Sequence, residues 1–186
     1  MNKLLTLGYS PCPNDTFIFY ALTHGRIPLE GLRVEERLED VETLNRLALK
    51  GTLDLTKISY HALGHLRRDY ALLKSGGALG RGCGPLVIAS SETSMEGLRG
   101  KRIAIPGQLT TANLLLQLFG EGYENVLILP FDRIMEAVKG GDAAAGADAD
   151  GVGGDDAVAG AGTVAVSDGT AAGSGSDPER QAATST

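Results

Sequence analysis

The sequence predicts an α/β protein with largely parallel sheets, because short apolar strands alternate with amphipathic helices along most of the chain. A second observation supports one continuous folded part: every Phe, Tyr, Leu, Ile and Met precedes Asp142. A third observation is that loops rich in Gly, Pro, Ser and Thr follow the predicted strands. In open α/β sheets, ligands bind beyond the carboxyl ends of the strands. The pattern therefore predicts a small-molecule site built from these loops.

The first part of the chain alternates strand and helix three times. Lys3–Tyr9 is the first predicted strand, and Asn14 or Asp15 is expected to cap a helix that ends at Gly25. An alternating apolar and charged segment follows, as is typical of a strand with one exposed face. Asp40 is expected to cap the second helix. In order, these segments read KLLTLGY, TFIFYALTHG, LRVEERL, VETLNRLALKG, LDLTKIS and YHALGHLRRDY.

The next part contains two strands around a glycine-rich loop and then a further strand–helix repeat. We assign residues 1–90 to a first α/β lobe and residues 91–141 to a partial second lobe. Hydroxyl groups open one helix of this second lobe, at Thr110 and Thr111, where either residue also serves as an ordinary N-cap. These segments read YALLKSG, GPLVIAS, KRIAIPG, TTANLLLQLFG, NVLILP and DRIMEAVKGG.

The composition changes abruptly at Asp142. From there to Thr186 the chain has 8 acidic residues and one basic residue, and its large apolar residues are four valines. Such a segment buries too little apolar area to offset the entropy cost of ordering its backbone. We therefore expect residues 142–186 to form a low-complexity, disordered tail. The remainder of the chain is nearly neutral, which offers no basic field for nucleic acid.

Cysteine content and the N-terminal residues favour a cytoplasmic protein. Cys12 and Cys83 are too few for a disulfide framework and form no CxxC pair. The apolar run near the N-terminus is too short for a signal peptide or a membrane span. We expect Cys12 to be a packing residue. The sequence has no GxGxxG after its first strand and no P-loop, so we expect no nucleotide cofactor.

Several stretches together resemble the 1,4-dihydroxy-6-naphthoate synthases of the futalosine route to menaquinone. The resemblance runs from Leu4 to Gly141 and is most specific where SPCPNDTF is combined with SGGALGRG. It implies the two-lobed fold of type II periplasmic binding proteins. It also implies a carbon–carbon lyase that converts cyclic dehypoxanthine futalosine to 1,4-dihydroxy-6-naphthoate. The other matching stretches are LEDVETLNRLAL, LTKISYHAL, IPGQLTTANLLL and DRIMEAVKGG.

The resemblance also implies the residues that contact the anionic substrate. They are Lys57, Ile58, Ser59, Thr110 and Thr111. An ammonium group can neutralise a carboxylate, and hydroxyls and amides at a helix N-terminus can bind it. The alternative without a binding role is that Lys57 is a solvated side chain at a strand end.

The family's proton acceptor is a histidine in a segment that should fall near residues 143–150, where this chain reads AAAGADAD. His24 is expected to end the first helix. His61 and His65 are spaced as a possible metal pair, but without a third ligand we interpret them as surface or packing residues and expect no metal site. We therefore assign no catalytic residue and expect no synthase turnover. We hypothesise a truncated or frameshifted family member with an incomplete second lobe, which resequencing would test.

Two other functions are compatible with the sequence. The fold also suits a solute-binding module for a small anion, although the absence of an export signal argues against it. The chorismate dehydratase of the same pathway shares the fold, but SPCPNDTF favours the naphthoate synthase. All three interpretations predict a small anionic ligand as partner, with neither nucleic acid nor membrane.

Overall fold

The computed structural model describes residues 3–78, 86–91, 93–148 and 162–167. These residues form two sheets with helices packed against them. The described strands are β1 (Lys3–Tyr9), β2 (Leu32–Leu38), β3 (Leu55–Ser59), β4 (Tyr70–Leu72), β5 (Leu86–Ala89), β6 (Ile103–Ile105), β7 (Val126–Ile128), β8 (Ala145–Asp148) and β9 (Gly162–Ser167). The described helices are α1 (Pro13–Thr23), α2 (Val41–Leu49), α3 (Tyr60–Leu66), α4 (Met95–Leu98), α5 (Thr111–Phe119) and α6 (Phe131–Gly140).

The first sheet has the strand order β2-β1-β3-β9-β4. Strand β1 is parallel to both β2 and β3, whereas β9 is antiparallel to β3 and β4. Leu7 of β1, Leu44 of α2 and Ile58 of β3 are almost completely buried. Because β1 and β3 are parallel, their carboxyl ends lie at the same edge of the sheet.

The second sheet has the strand order β5-β8-β6-β7. Strand β6 is parallel to β7 and β8, and β5 is antiparallel to β8. The assignment of residues 1–90 to the first lobe therefore differs from the structure at β5, which belongs to the second sheet. Chain order placed β5 beside β4, but β5 finds its hydrogen-bonding partner in a strand nearly sixty residues further on.

Part of the expected disordered tail is folded. Residues 145–148 form β8 between β5 and β6, and residues 162–167 form β9 between β3 and β4. The expectation of a disordered tail starting at residue 142 is therefore wrong for these residues. The rest of that expected tail, residues 149–161 and 168–186, lies outside the described residues.

Small side chains in β8 are required by close packing. A Cβ atom on Gly146 would lie 2.4 Å from Cγ2 of Ile134 in α6. Ala145 is completely buried, and Ala143 and Ala147 are nearly so. A helix that packs this closely on a strand accepts glycine and alanine and excludes larger residues. In residues 145–147, the alanines and the glycine that suggested a tail are those of a tightly covered strand.

Two predicted helix caps are confirmed and one is corrected. Asp40 caps α2 through 3.0 Å hydrogen bonds accepted from the amides of Glu42 and Thr43. Thr110 caps α5, since its hydroxyl accepts a hydrogen bond from the amide of Asn113. Helix α1, however, begins with Cys12 at the N-cap rather than Asn14 or Asp15. Pro13 favours this start, because its fixed φ suits the first helical position and its missing N–H costs nothing there.

No helix among the described residues combines the length and the apolar character needed to cross a bilayer. Helix α1 has 11 residues, the largest number among the helices in these ranges, whereas a spanning helix needs about 20.

Candidate functional site

The candidate site lies where β1, β3 and β6 end and the following segments begin. Strand β1 leads through Ser10 to α1, β3 leads directly into α3, and β6 leads through a loop of residues 106–110 into α5. Residues of the first and second sheets meet here, because α2 and α3 contact the β6–α5 loop. The five residues implied by the sequence resemblance belong to β3 and to the start of α5.

Lys57 is buried and paired with Asp15. The Lys57 Nζ atom donates to Asp15 Oδ1 at 2.6 Å, and each residue is 5% exposed. The other carboxylate oxygen of Asp15 accepts hydrogen bonds from the Ser10 hydroxyl at 2.7 Å and the Ser10 amide at 3.2 Å. Lys57 is therefore not a solvated side chain. Asp15 already balances the charge of Lys57, so Lys57 can offer a ligand an N–H donor but not an unpaired positive charge.

Ile58 and Ser59 contribute differently. The Ile58 side chain is fully buried in a cluster with Ala48, Ala62 and Leu66, so Ile58 can offer a ligand only its backbone. Ser59 is the N-cap of α3, but its side chain makes no capping hydrogen bond. Its hydroxyl instead accepts a hydrogen bond from the amide group of Asn45 at 3.2 Å.

Thr110 and Thr111 begin α5. The Thr110 hydroxyl donates to the carbonyl of Gly107 at 2.6 Å while it caps the helix, and the residue is 3% exposed. Thr111 is half-buried and is the first residue of the helix. The first-turn amides of an α-helix carry a partial positive charge and favour a negatively charged ligand. This end of α5 therefore offers an anion hydrogen-bond donors without a formal charge.

Hydrogen bonds among the described residues join the first half of the chain to the β6–α5 loop. The Asn45 side-chain amide donates to the carbonyl of Leu109 at 3.4 Å, and the Leu109 amide donates to Glu42 at 3.4 Å. The His61 Nδ1 atom lies 3.2 Å from the carbonyl of Thr110. These contacts bring Ser59 and Thr110, more than fifty residues apart in sequence, to one junction.

Sequence reasoning missed four residues of this junction: Asp15, Glu42, Asn45 and His61. A signal was present for Asn45, because it lies between Leu44 and Ala48 on the apolar face of the amphipathic helix α2. A polar residue on such a face is informative, since buried amides require hydrogen-bond partners. Asp15 was interpreted as a helix cap, and its pairing with Lys57 depends on contact between α1 and β3.

The histidines form no metal centre in the described part of the chain, where no group of three or more His, Cys, Asp or Glu residues is placed to hold an ion. His24 is the C-cap of α1, as expected, and its ring stacks on Tyr20. The rings of His61 and His65 lie 5.4 Å apart. The glycine-rich loop GGALGRGCG, including Cys83, falls largely in residues 79–85, outside the described residues. Cys12 is a free, partly exposed thiol.

Two α/β sheets that meet at a common edge of strand and helix ends define a protein with the periplasmic-binding-protein-like fold. The substrate-binding protein of an amino acid ABC transporter has a TM-score of 0.63 at 14% identity, covering 90% of this chain and 86% of its own. The alkanesulfonate-binding protein of Xanthomonas axonopodis bound to MOPS has a TM-score of 0.61 at 18% identity, covering 89% and 65%. These two likenesses show the fold alone.

The chain belongs to the menaquinone biosynthesis family, which matches residues 5–146. It is 54% identical over 144 residues to the 1,4-dihydroxy-6-naphthoate synthase of Thermus thermophilus, a match that covers 77% of this chain and 52% of the relative. The synthase of Streptomyces coelicolor is 44% identical over 147 residues, covering 76% and 51%. The chain thus spans about half the length of these curated relatives.

A further solved structure supports the fold. A protein of Archaeoglobus fulgidus has a TM-score of 0.77 at 34% identity, and the match covers 91% of this chain and 70% of that one. The family and the fold implied by SPCPNDTF and the accompanying motifs are therefore confirmed.

Proposed function

We propose that this chain carries the substrate-binding junction of a 1,4-dihydroxy-6-naphthoate synthase, a carbon–carbon lyase whose substrate is cyclic dehypoxanthine futalosine. The observation that carries the proposal is the contact of Asn45 with both Ser59 and Leu109. This contact places the Ser59 hydroxyl next to the loop that ends in Thr110 and Thr111. The high identity to curated synthases supports the same activity. We place the protein in the cytoplasm, consistent with the free thiol of Cys12.

The substrate carboxylate is bound mainly by hydroxyl and amide groups in this proposal. The start of α5 supplies donors aligned with the helix dipole, and Ser59 supplies a hydroxyl from the other side of the junction. Hydrogen bonds to a charged group contribute about 1.5–3 kcal/mol each. Two or three of them supply about 3–9 kcal/mol, so burial of the apolar part of the ligand has to supply the rest of the binding free energy and offset the cost of association.

Lys57 has a second role in the proposal. Because Asp15 balances its charge, the pair adds little net charge to the site. An ammonium group has three donors, so Lys57 can hold Asp15 and still direct an N–H toward a ligand. Asp15 then fixes the orientation of Lys57, and the Ser10 hydroxyl fixes that of Asp15.

We expect this chain to bind the substrate without detectable turnover. Proton abstraction by a positioned base contributes about 10²–10⁴-fold, provided that the base lies within hydrogen-bond reach of its proton. The segment that should hold the family's histidine contains alanine, glycine and aspartate. Of the described residues in that segment, Ala145 and Ala147 are buried in the second sheet.

Calorimetric titration of the purified chain tests the proposal. The ligands are cyclic dehypoxanthine futalosine, chorismate and an alkanesulfonate such as MOPS. Thr110→Ala and Ser94→Ala are matched variants, because each removes a helix-capping hydroxyl and only Thr110 belongs to the junction. We expect Thr110→Ala to weaken binding of the cyclic substrate about tenfold, roughly 1.4 kcal/mol. Ser94→Ala should leave this affinity unchanged.

Other outcomes identify the competing functions. Binding of chorismate in preference to the cyclic substrate would indicate the dehydratase of the same pathway. Tight binding of the alkanesulfonate alone would indicate a solute-binding module. Turnover of the cyclic substrate by this chain, lost in Thr111→Ala, would contradict the expected inactivity. If none of the three ligands binds, the proposed function is wrong for this chain.

A further inference from the structure

We propose that Asn45 of α2 is a positioning residue that sets the distance between Ser59 and the β6–α5 loop. The inference rests on the proposed function, since Ser59 and the start of α5 are its two binding surfaces. Asn45 itself is completely buried and is not offered to the ligand. It acts through the groups that it holds.

The Asn45 side chain uses both ends of its amide. Its Oδ1 atom accepts a hydrogen bond from the Ser59 amide at 3.0 Å. Its Nδ2 atom donates to the Ser59 hydroxyl at 3.2 Å and to the Leu109 carbonyl at 3.4 Å. A neutral amide has two donors and an acceptor in one plane, so these three contacts fix its orientation. The Ser59 hydroxyl is thereby oriented as well, because one of its lone pairs is occupied.

Glu42, one helical turn earlier, holds the same loop. Its Oε1 atom pairs with Arg46 at 3.1 Å, and its Oε2 atom accepts the Leu109 amide. The loop approaches this side chain so closely that a Cβ atom on Gly107 would lie 2.1 Å from Glu42 Oε2. Both backbone polar groups of Leu109 are thus bound by α2. The loop docks on α2 through its backbone, and glycine at position 107 permits the approach.

The hydrogen bonds between Asn45 and Ser59 are shorter than the two hydrogen bonds that α2 makes to Leu109. Asn45 meets Ser59 at 3.0 and 3.2 Å, whereas both contacts to Leu109 are 3.4 Å, beyond the usual 2.7–3.2 Å range. Asn45 therefore contacts both Ser59 and the β6–α5 loop through one side chain.

An aspartate at position 45 isolates the positioning role. Asn45→Asp keeps the shape and the acceptor for the Ser59 amide. It removes the donor to Ser59 and Leu109, and places a carboxylate against the Leu109 carbonyl. Tyr70→Phe is the matched control, because it removes one buried hydrogen bond, to the Leu53 carbonyl at 2.8 Å, and keeps the ring that packs in the cluster with Ile58 and Leu109.

Two readouts are combined: the affinity for cyclic dehypoxanthine futalosine, and the ligand-free NMR shifts of the Ser59, Thr110 and Thr111 amides. We expect Asn45→Asp to weaken binding by about tenfold or more and to shift all three amides, in line with the loss of hydrogen bonds that orient charged-ligand contacts. Tyr70→Phe should change affinity less than about twofold and leave these amides in place. Wild-type affinity together with unmoved amides in Asn45→Asp overturns the proposal.

The remaining outcomes are also decisive. If wild-type protein binds no substrate, the proposed function fails, and the amide shifts alone decide whether Asn45 positions the junction. If Asn45→Asp does not fold, the pair Glu42→Ala and Glu42→Gln decides instead. Glutamine retains an acceptor for the Leu109 amide, so it should keep wild-type amide shifts that alanine loses. Identical behaviour of these two variants contradicts the proposal.

Discussion

At the scale of single residues, the pair formed by Asp15 and Lys57 has a large energetic consequence. Their charged atoms lie 2.6 Å apart, and both side chains are withdrawn from water. Desolvation offsets much of the attraction in such a pair, but removing one partner leaves a buried charge without compensation. A Lys57 substitution therefore tests stability before it tests binding.

Lys57→Met is expected to lower the free energy of unfolding by about 3–5 kcal/mol, because Asp15 is left buried and unpaired. The double variant Asp15→Asn, Lys57→Met should recover most of this loss. Urea denaturation of wild type and the variants measures both effects, with the exposed Lys50→Met as the control. A Lys57→Met loss below about 1 kcal/mol would show that the pair is not buried as described.

Tyr9 gives the molecule a specific response to alkali. Burial, and then the hydrogen bond that its hydroxyl donates to Glu36, raise the pKa of Tyr9 above its ordinary value of 10.0. The stability associated with this raised pKa is fully present below pH 10.0 and is lost as pH rises through the folded-state value.

Tyr9→Phe should therefore reduce the decline in unfolding free energy above that pH, while lowering stability at neutral pH because Glu36 loses its donor. Denaturation curves at neutral and at increasing alkaline pH measure the slope. Burial also raises the pKa of Tyr70, so part of the decline in unfolding free energy at alkaline pH should persist in Tyr9→Phe. If unfolding free energy falls equally steeply with pH in wild type and Tyr9→Phe, ionisation of Tyr9 is not the cause of the decline.

At the scale of elements, the contact between α6 and β8 decides the architecture of the second sheet. Ile134 and Val138 of α6 pack over Gly146, where a Cβ atom would meet Ile134 Cγ2 at 2.4 Å. The strand is thus covered by large side chains from the helix rather than by large side chains of its own.

Gly146→Ala is expected to destabilise the protein by about 1–3 kcal/mol through overpacking. Gly64→Ala is the control, since its Cβ atom meets nothing within 4 Å and the position is helical. That control should be neutral or stabilising by up to about 1 kcal/mol. The double variant Gly146→Ala, Ile134→Ala should lose less unfolding free energy than the sum of the losses in the two single variants. Thermal or urea unfolding measures this difference. A neutral Gly146→Ala would indicate that β8 is not packed under α6.

At the scale of the whole molecule, the chain forms most of the first sheet, then the second sheet, and then adds one more strand to the first sheet. Strand β9 follows all the strands of the second sheet in sequence but lies between β3 and β4 of the first. It pairs with both neighbours over Gly162–Ser167. The first sheet is therefore completed by residues distant in sequence from its other strands.

Amide hydrogen exchange tests this return. Amides of 162–167 that are bound to β3 and β4 should exchange more slowly than those of an unfolded chain by a factor set by the local opening free energy. The β3 amides provide an internal reference, because they face the same pairing. Exchange in 162–167 at the rate of an unstructured peptide, with β3 still protected, would mean that β9 is not a member of the sheet.

The residues themselves predict much of the local structure. The helix cap at Asp40, the cap at Thr110 and the alternation of strands and helices depend on contacts within a few positions, so the sequence contains them directly. The family also follows from contiguous motifs such as SPCPNDTF. The five expected binding positions are likewise a prediction from motifs, which name the residues but contain no geometry.

Tertiary structure alone decided the rest. Lys57 could be interpreted as a free cation until contact with α1 brought Asp15 to it, 42 positions away. The alanines and the glycine of β8 suggested disorder, but in the structure α6 covers them. The residues of β9 also suggested disorder, but their backbone pairs with β3 and β4. Asn45 acquired its role when Ser59 and Leu109 met around it. In each case the free energy comes from groups far apart in the chain, whose proximity no local propensity contains.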